Sequence, residues 1–527
     1  MGHQPFVIGI DGGTESLRVG VYSLTGRPLG FASEPYATTF PHAGWAEQDP
    51  EAWWASLLKA LPEALSVAGV EPSEAIGIGL DTTACTMVFL DEGMRPLRPA
   101  MLWMDVRSSD QARRVSAFQH DALKVAGQTT MSAEWMPAKT LWVKEHQPDV
   151  YERTAHLCEY VDYLGFRLTG DLTASLNTTS IRWLYDADSV GWQRDYFERI
   201  GLGDVVDRFP AQVLPMEAVA GTLTADVAEA TGLPVGLPVA KGGADAFVAM
   251  LGLNVVAPGR VALITGSSHL QLGQSASPLH VKGLFGTYAD AVVQGEHTFE
   301  GGQISTGSIM RWYCSNLLGF GSELDISQLI ERVSQRAADV PPGSEGLILL
   351  DYWQGNRTPH VDANARGAIW GLSLSHRAEH VARAIMEGVA FGTERIFRVM
   401  REHDVPVDHV VAAGGATKSP LWMQIHADVA NVPIHLTEVA DAATLGSAVL
   451  AAVAGGAYGS IVEASAQMVR VATTVEPSAT AHATYADFYE LYCETYEHLG
   501  PLMHRLTALV AANGVQHETS SDELVGA

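Results

Sequence analysis

Phe6-Val7-Ile8-Gly9-Ile10-Asp11-Gly12-Gly13-Thr14-Glu15-Ser16 reads as a short apolar strand that ends in an acid and turns on glycine. Val7 to Asp11 has the near-continuous apolar run of a strand buried on both faces. Gly12-Gly13 makes a turn, and Leu17 to Tyr22 alternates as a second strand. Thr25-Gly26 turns the chain again before Arg27-Pro28-Leu29, so the segment predicts a meander of hairpins. A carboxylate at a strand end can hold a metal-bound water. Glycines let the backbone approach phosphate oxygens, and Thr14 and Ser16 can donate hydrogen bonds. Taken alone, such a turn is more often a plain hairpin.

Outward from this point, Pro50 to about Val67 has a helical pattern and Ala75 to Asp81 is another short buried strand. Helices and strands then alternate to about residue 250, which predicts an α/β domain. Pro234, Gly236, Pro238 and Gly242-Gly243 punctuate the approach to Asp245. A second start follows at Val255 to Thr265, where an apolar strand runs into Thr265-Gly266-Ser267-Ser268. Strand, small polar turn and strand thus occur near residue 11 and again near residue 266. That weak repeat predicts two similar halves facing each other, with a boundary near residues 248–258. A long helical pattern covers Ala378 to about Met400, and the tail after Asn513 is polar and acidic. We take 1–252 and 253–510 as two domains and 511–527 as a disordered tail.

The chain has 527 residues, too many for one core. Its 47% hydrophobic and 18% charged residues suit a globular rather than a disordered protein. A net charge of −27 repels nucleic acid and anionic membranes, so neither is expected as a partner. Cys85, Cys158, Cys314 and Cys493 are widely spaced without a CxxC pair; reduced thiols in the cytoplasm are the simple reading. The N-terminal residues lack the pattern of a signal peptide. The uncharged run Leu445 to Val462 is broken by Gly455-Gly456 and Gly459, and we read it as a buried helix followed by a loop.

Further segments could carry chemistry. Thr265-Gly266-Ser267-Ser268 repeats the small polar character of the first loop. In Ala412-Ala413-Gly414-Gly415-Ala416-Thr417-Lys418-Ser419-Pro420, Ser419 can cap a helix with Pro420 at its first position, and the double glycine admits a flat base or ribose. No Walker or Rossmann spacing is present. Asp245, flanked by small residues, suits a base in a cleft or a simple helix cap. Trp103, Asp105 and Arg107 could stack on and bind a polyol, or could be a core ring beside a surface ion pair. Trp45, Trp53 and Trp54 read as core more than as a sugar platform, and His269 as a packing residue. No His/Cys metal constellation stands out.

In order and spacing, the Asp11 to Ser16, Asp245, Thr265-Gly266 and Gly414-Gly415 motifs resemble the FGGY carbohydrate kinases. Glu134-Trp135-Met136-Pro137-Ala138-Lys139-Thr140-Leu141-Trp142 is similar to that family's first signature, with Ala138 between the proline and the lysine as a departure. Gly367-Ala368-Ile369-Trp370-Gly371-Leu372, with His380-Val381 and Ala384-Ile385-Met386-Glu387, resembles the second. Asp81-Thr82-Thr83-Ala84, Phe299-Glu300-Gly301-Gly302-Gln303, Asp351 to Pro359 and Thr178 to Trp183 look most like the ribulokinase branch. Arg182 stands where that branch carries lysine.

The resemblance implies two actin-like (ribonuclease H-like) domains with a cleft between them, and ATP with magnesium as cofactors. It implies that Asp11, Gly13, Thr14, Ser16, Arg18, Thr265, Gly266 and Ser267 meet the phosphates, with Asp11 on the metal's side. Gly414, Gly415 and Lys418 would seat the adenosine. Asp245 would be the catalytic base, and Asp81, Thr82, Ala84, Trp103, Asp105, Arg182 and Glu300 would bind sugar with it. The implied reaction is phosphorylation of a terminal hydroxyl of a ketopentose such as ribulose. Glycerol, erythritol, another polyol or xylulose are alternative acceptors, and an actin-like ATPase without a sugar is the alternative of another class. The partners are a small sugar and ATP, and a homodimer stays open.

Overall fold

The structure is a computed structural model, and its described residues are 4–118, 120–125, 130–189, 191–318 and 326–513. The opening meander forms as expected: β1 (Phe6–Gly12), β2 (Ser16–Ser23) and β3 (Pro28–Pro35) pair antiparallel in sequence. All seven residues of β1 are buried, as its apolar run requires. After α1 (Pro50–Ala68), β4 (Ala75–Thr82) pairs parallel with β1 and sets Asp11 opposite Asp81. Pro238–Ala240 and Gly243–Ala244 pair parallel with β4, and Gly243–Ala244 leads straight into α2 (Asp245–Gly252). Asp11, Asp81 and Asp245 thus sit at the carboxyl ends of adjacent parallel strands, where open α/β sheets hold their ligands.

The second half repeats this plan. β5 (Gly259–Thr265), β6 (His269–Ser275) and β7 (His297–Gln303) form the antiparallel meander. After the long α3 (Ala378–Glu402), β8 (Val407–Gly414) pairs parallel with β5 and sets Thr265 opposite Gly414. α4 (Pro420–Ala430) follows, capped by the Ser419 side chain on the Trp422 N–H with Pro420 at its start. β9 (Ile434–Thr437) extends the sheet parallel to β8. Among the described residues each half is built on a seven-stranded sheet, with smaller sheets beside it, and the meander followed by a parallel strand makes both of them actin-like.

α5 (Ala442–Ala454) belongs to the second half in sequence but packs on the first sheet and on α2. Glycines make this possible. A Cβ on Gly9 would fall 2.0 Å from the Thr444 carbonyl oxygen, on Gly79 1.8 Å from that of Ser447, and on Gly252 2.0 Å from that of Ala442. Helix and sheet therefore meet backbone to backbone, a seam that no larger residue allows. α5 is the apolar run that the sequence flagged; a second helix, Ile461–Met468, begins where only a loop was expected. Among the described residues no helix is long and apolar enough to cross a membrane. The last helix, Ala479–Ala512, covers the first residues of the expected tail, and 514–527 lie outside the described residues.

Candidate active site

The strand ends of the first half bring carboxylates together. Asp11 is 1% and Asp81 0% exposed. Arg18, on β2 opposite Asp11, ion-pairs with Asp11 Oδ2 and places Nη1 2.8 Å from Asp441 Oδ2. The Ser447 hydroxyl on α5 donates to Asp81 Oδ2 at 2.6 Å. One oxygen of each acid, Asp11 Oδ1 and Asp81 Oδ1, is buried and accepts from no N–H or hydroxyl of another residue type, and the two carboxyl groups interact with each other. Burial raises the pKa of Asp11 against the pull of Arg18, and burial with the nearby Asp11 charge raises Asp81 well above the carboxylate range.

Asp245 is half-buried at the first turn of α2. It does not cap that helix from outside; its Oδ1 accepts from the neighbouring Ala246 N–H at 2.7 Å. Burial, with Asp11 as the next cause, pushes its pKa up to about 7. A carboxylate at that value can take a proton near neutral pH.

A second polar cluster joins the two halves. Arg182, on the helix Leu176–Arg182, donates from Nη2 to Glu300 Oε2 at 3.1 Å and from Nη1 to the Tyr288 hydroxyl at 2.5 Å. Arg357 pairs with the other Glu300 oxygen. Burial penalises the Glu300 carboxylate, but the Arg357 and Arg182 charges outweigh it and lower its pKa. Phe247 of α2 packs edge-on against Tyr288, 5.9 Å between centroids, and so links this cluster to the helix that carries Asp245.

The glycine loops differ from each other. Gly13 is half-buried and its N–H bonds the Ser16 carbonyl, while Thr14 Oγ1 accepts from Trp103 Nε1 at 3.1 Å. Gly266 and Ser267 are exposed, but Thr265 is buried, and its hydroxyl donates to the Ala413 carbonyl and accepts from the Ala416 N–H. Thr265 therefore ties its loop to the double-glycine loop. Gly414, at φ 95°, lies so close to Thr265 that a Cβ would sit 1.9 Å from its carbonyl oxygen, whereas Gly415 faces open space. Both glycines are exposed, so both stay available to a nucleotide, but only Gly415 has open space where a side chain would stand, with exposed Lys418 beyond it.

Other expectations are revised. Asp105 is fully buried, and its oxygens accept from Arg107 and from the Ala46 N–H at 2.8 Å. It shapes its loop and is not presented to a sugar; nor is its pair with Arg107 on the surface, since that guanidinium stacks 3.7 Å from the Trp45 ring. Asp81, also expected at the sugar, faces Asp11 and Ser447 instead. Thr82 is buried, Ala84 half-buried and Trp103 exposed. Trp53 stacks on Tyr160 in the core, and His269 is buried against Trp422 and His426, in keeping with packing roles. Tyr288, Arg357, Asp441 and Ser447 escaped the sequence reading. Arg357 lies in a segment that reading quoted; the others are brought in by contacts across more than a hundred residues.

The paired halves, the acids at their strand ends and the glycine loops have a counterpart among known proteins. Residues 6–252 match the N-terminal domain, and residues 261–455 the C-terminal domain, of the FGGY family of carbohydrate kinases. The chain belongs to the FGGY family. A ribulokinase from Geobacillus thermodenitrificans is 32% identical over 94% of this chain and 95% of its own. A xylulose kinase from Bacillus subtilis is 30% identical over 94% of this chain and 97% of its own. Among solved structures, a xylulose kinase from Rhodospirillum rubrum superposes with a TM-score of 0.84 at 29% identity, covering 95% of this chain and 100% of that one. As an FGGY kinase, this chain is an ATP-dependent carbohydrate kinase.

Proposed function

We propose that this FGGY kinase transfers the γ-phosphoryl group of ATP to a terminal hydroxyl of a ribulose-type ketopentose, with Asp245 as the base. The observation that carries this reading is Asp245 itself: half-buried beside the Asp11 charge, with a pKa of about 7, at the head of a helix that also contacts the Arg182–Glu300 cluster. Residues 1–252 would supply the base and much of the sugar site, and 253–510 the nucleotide site.

Phosphoryl transfer asks a protein chiefly for positioning and for neutralisation of charge. Asp245 accepts the proton of the attacking hydroxyl. Arg182 and Glu300 orient the other hydroxyls, and Trp103, Thr82 and Ala84 flank them. Gly13, Thr14, Ser16, Gly266 and Ser267 meet the phosphates, Arg18 lends positive charge, and Gly415 and Lys418 meet the adenosine. The residues also fit magnesium. Among the described residues no group of three His, Cys, Asp or Glu is arranged to hold a metal ion by itself. A nucleotide-borne magnesium needs only one or two carboxylates, and Asp11, with Asp81 beside it, would hold it. Bound there, magnesium would neutralise phosphate charge.

The support for a ketopentose is the similarity to a ribulokinase, together with a site that presents both donors and an acid for polyhydroxyl recognition. The test is a coupled ATP-consumption assay over a panel of ketoses and polyols. Turnover should be highest with a ketopentose and absent without an acceptor. Robust activity on glycerol alone would overturn the ketopentose assignment, and sugar-independent ATP turnover would overturn the base role of Asp245.

A further inference from the structure

We propose that Asp441 is a positioning residue for phosphoryl transfer, holding the Arg18 guanidinium against Asp11 from the other half of the chain. This rests on the reading of Asp11 and Arg18 as phosphate-side groups. Asp441 lies 423 residues from Arg18 in sequence, yet its Oδ2 meets Arg18 Nη1 at 2.8 Å. Its other oxygen, Oδ1, accepts from the Thr444 N–H at 3.2 Å and caps α5. Each carboxylate oxygen thus has its own partner, one in each half.

The placement of α5 gives this contact its consequence. The helix is docked backbone to backbone on β1 and β4 through Gly9 and Gly79, and Tyr22 on β2 hydrogen-bonds Thr444 at 2.7 Å. A carboxylate at the cap of so firmly seated a helix cannot swing with solvent. Arg18 is the opposite case, a long side chain 43% exposed, which one partner alone would leave mobile. With Asp11 on Nη2 and Asp441 on Nη1, the planar fork is fixed at two corners, and neither contact uses Nε. Asp11 and Asp441 place negative charge that repels a polyphosphate on either side of Arg18, the cation set between them. Its orientation therefore decides how far that repulsion is offset where the phosphoryl group passes.

Asp441→Asn keeps a good capping side chain but removes the charge that grips Arg18, and Asp441→Ser keeps a capping oxygen that is too short to reach it. Both should melt like the parent, keep the KM for sugar, and lose kcat by about tenfold or more. Arg18→Gln should lose at least as much, and adding Asp441→Asn to it should cost nothing further, because both changes break the same device. An Asp441→Asn variant within twofold of parental kcat, beside an impaired Arg18→Gln, overturns the proposal alone. An equal loss from Asp441→Asn in both backgrounds also overturns it, since the residue would then act through α5 and not through Arg18. Parental kcat in Arg18→Gln overturns the phosphate-side reading itself, and the proposal with it.

Discussion

Asp245 concentrates the chemistry at the scale of one residue. Asp245→Asn should fold and bind both substrates but lose kcat by roughly 10²- to 10⁴-fold, the range for a lost general base. Steady-state rates set beside melting and substrate titration check this, and near-parental turnover in a normally melting protein would remove the assignment. The pKa of about 7 adds a pH signature. A base must be ionised, so kcat/KM should fall as pH drops through about 7. For stability the sign is opposite. Folding raises this acid's affinity for a proton, so its contribution is most favourable at low pH and is lost as pH rises to about 7. Asp245→Asn should therefore raise the melting temperature above pH 7, and an unchanged value across pH 5 to 8 would speak against the burial argument. Glu300 is the other sharp case. Glu300→Gln leaves Arg182 and Arg357 facing a neutral amide, so the KM for sugar should rise by about tenfold with that for ATP nearly unchanged. Weakening a buried ion pair should also lower stability, by less than the about 3–5 kcal/mol of a fully orphaned charge, because Arg182 keeps Glu134 within 3.8 Å.

At the scale of elements, glycines with similar sequence settings do different things. Gly414 and Gly415 are adjacent, yet only Gly414 is pressed against a neighbouring backbone. Gly414→Ala should lower the melting temperature and loosen the loop, because its positive φ and the Thr265 carbonyl both exclude a methyl group. Gly415→Ala should melt as the parent and raise the KM for ATP several-fold by filling the open space proposed for nucleotide. Thermal unfolding and ATP kinetics on the two variants separate the roles, and equal melting losses would refute the distinction. Both glycines read alike in the sequence because close approach is a property of two strands, β5 and β8, brought into register.

Across the whole molecule, α5 of the second half is seated on the first sheet, and the halves meet again at the buried Arg182–Glu300 pair. The pair joins an arginine of the first half to a glutamate of the second, so sugar bound at it would touch both halves at once. Adding a ketopentose with a non-hydrolysable ATP analogue should reduce the radius of gyration in small-angle scattering, as closure shuts out water that competes as acceptor. Arg182→Ala should abolish that change, and an identical shrinkage in this variant would dissociate closure from sugar recognition.

Much of this protein was determined by local sequence. Burial on both faces dictates β1, the Ser419-Pro420 pair dictates the start of α4, and the repeat of strand, turn and strand near residues 11 and 266 announces two like halves. Those features depend on residues a few positions apart, where periodicity and turn chemistry act. The partners of the acids do not. Asp105 read as a polyol ligand or as half of a surface pair with Arg107 until the fold buried that pair and set the Ala46 N–H on it, and Asp81 read as a sugar ligand until parallel pairing set it beside Asp11. Tyr288, Asp441 and Ser447 carry no local mark, because their roles arise from contacts more than a hundred residues away. Only the tertiary structure could decide them, since a side chain's hydrogen-bond partner and exposure are set by what the fold packs against it.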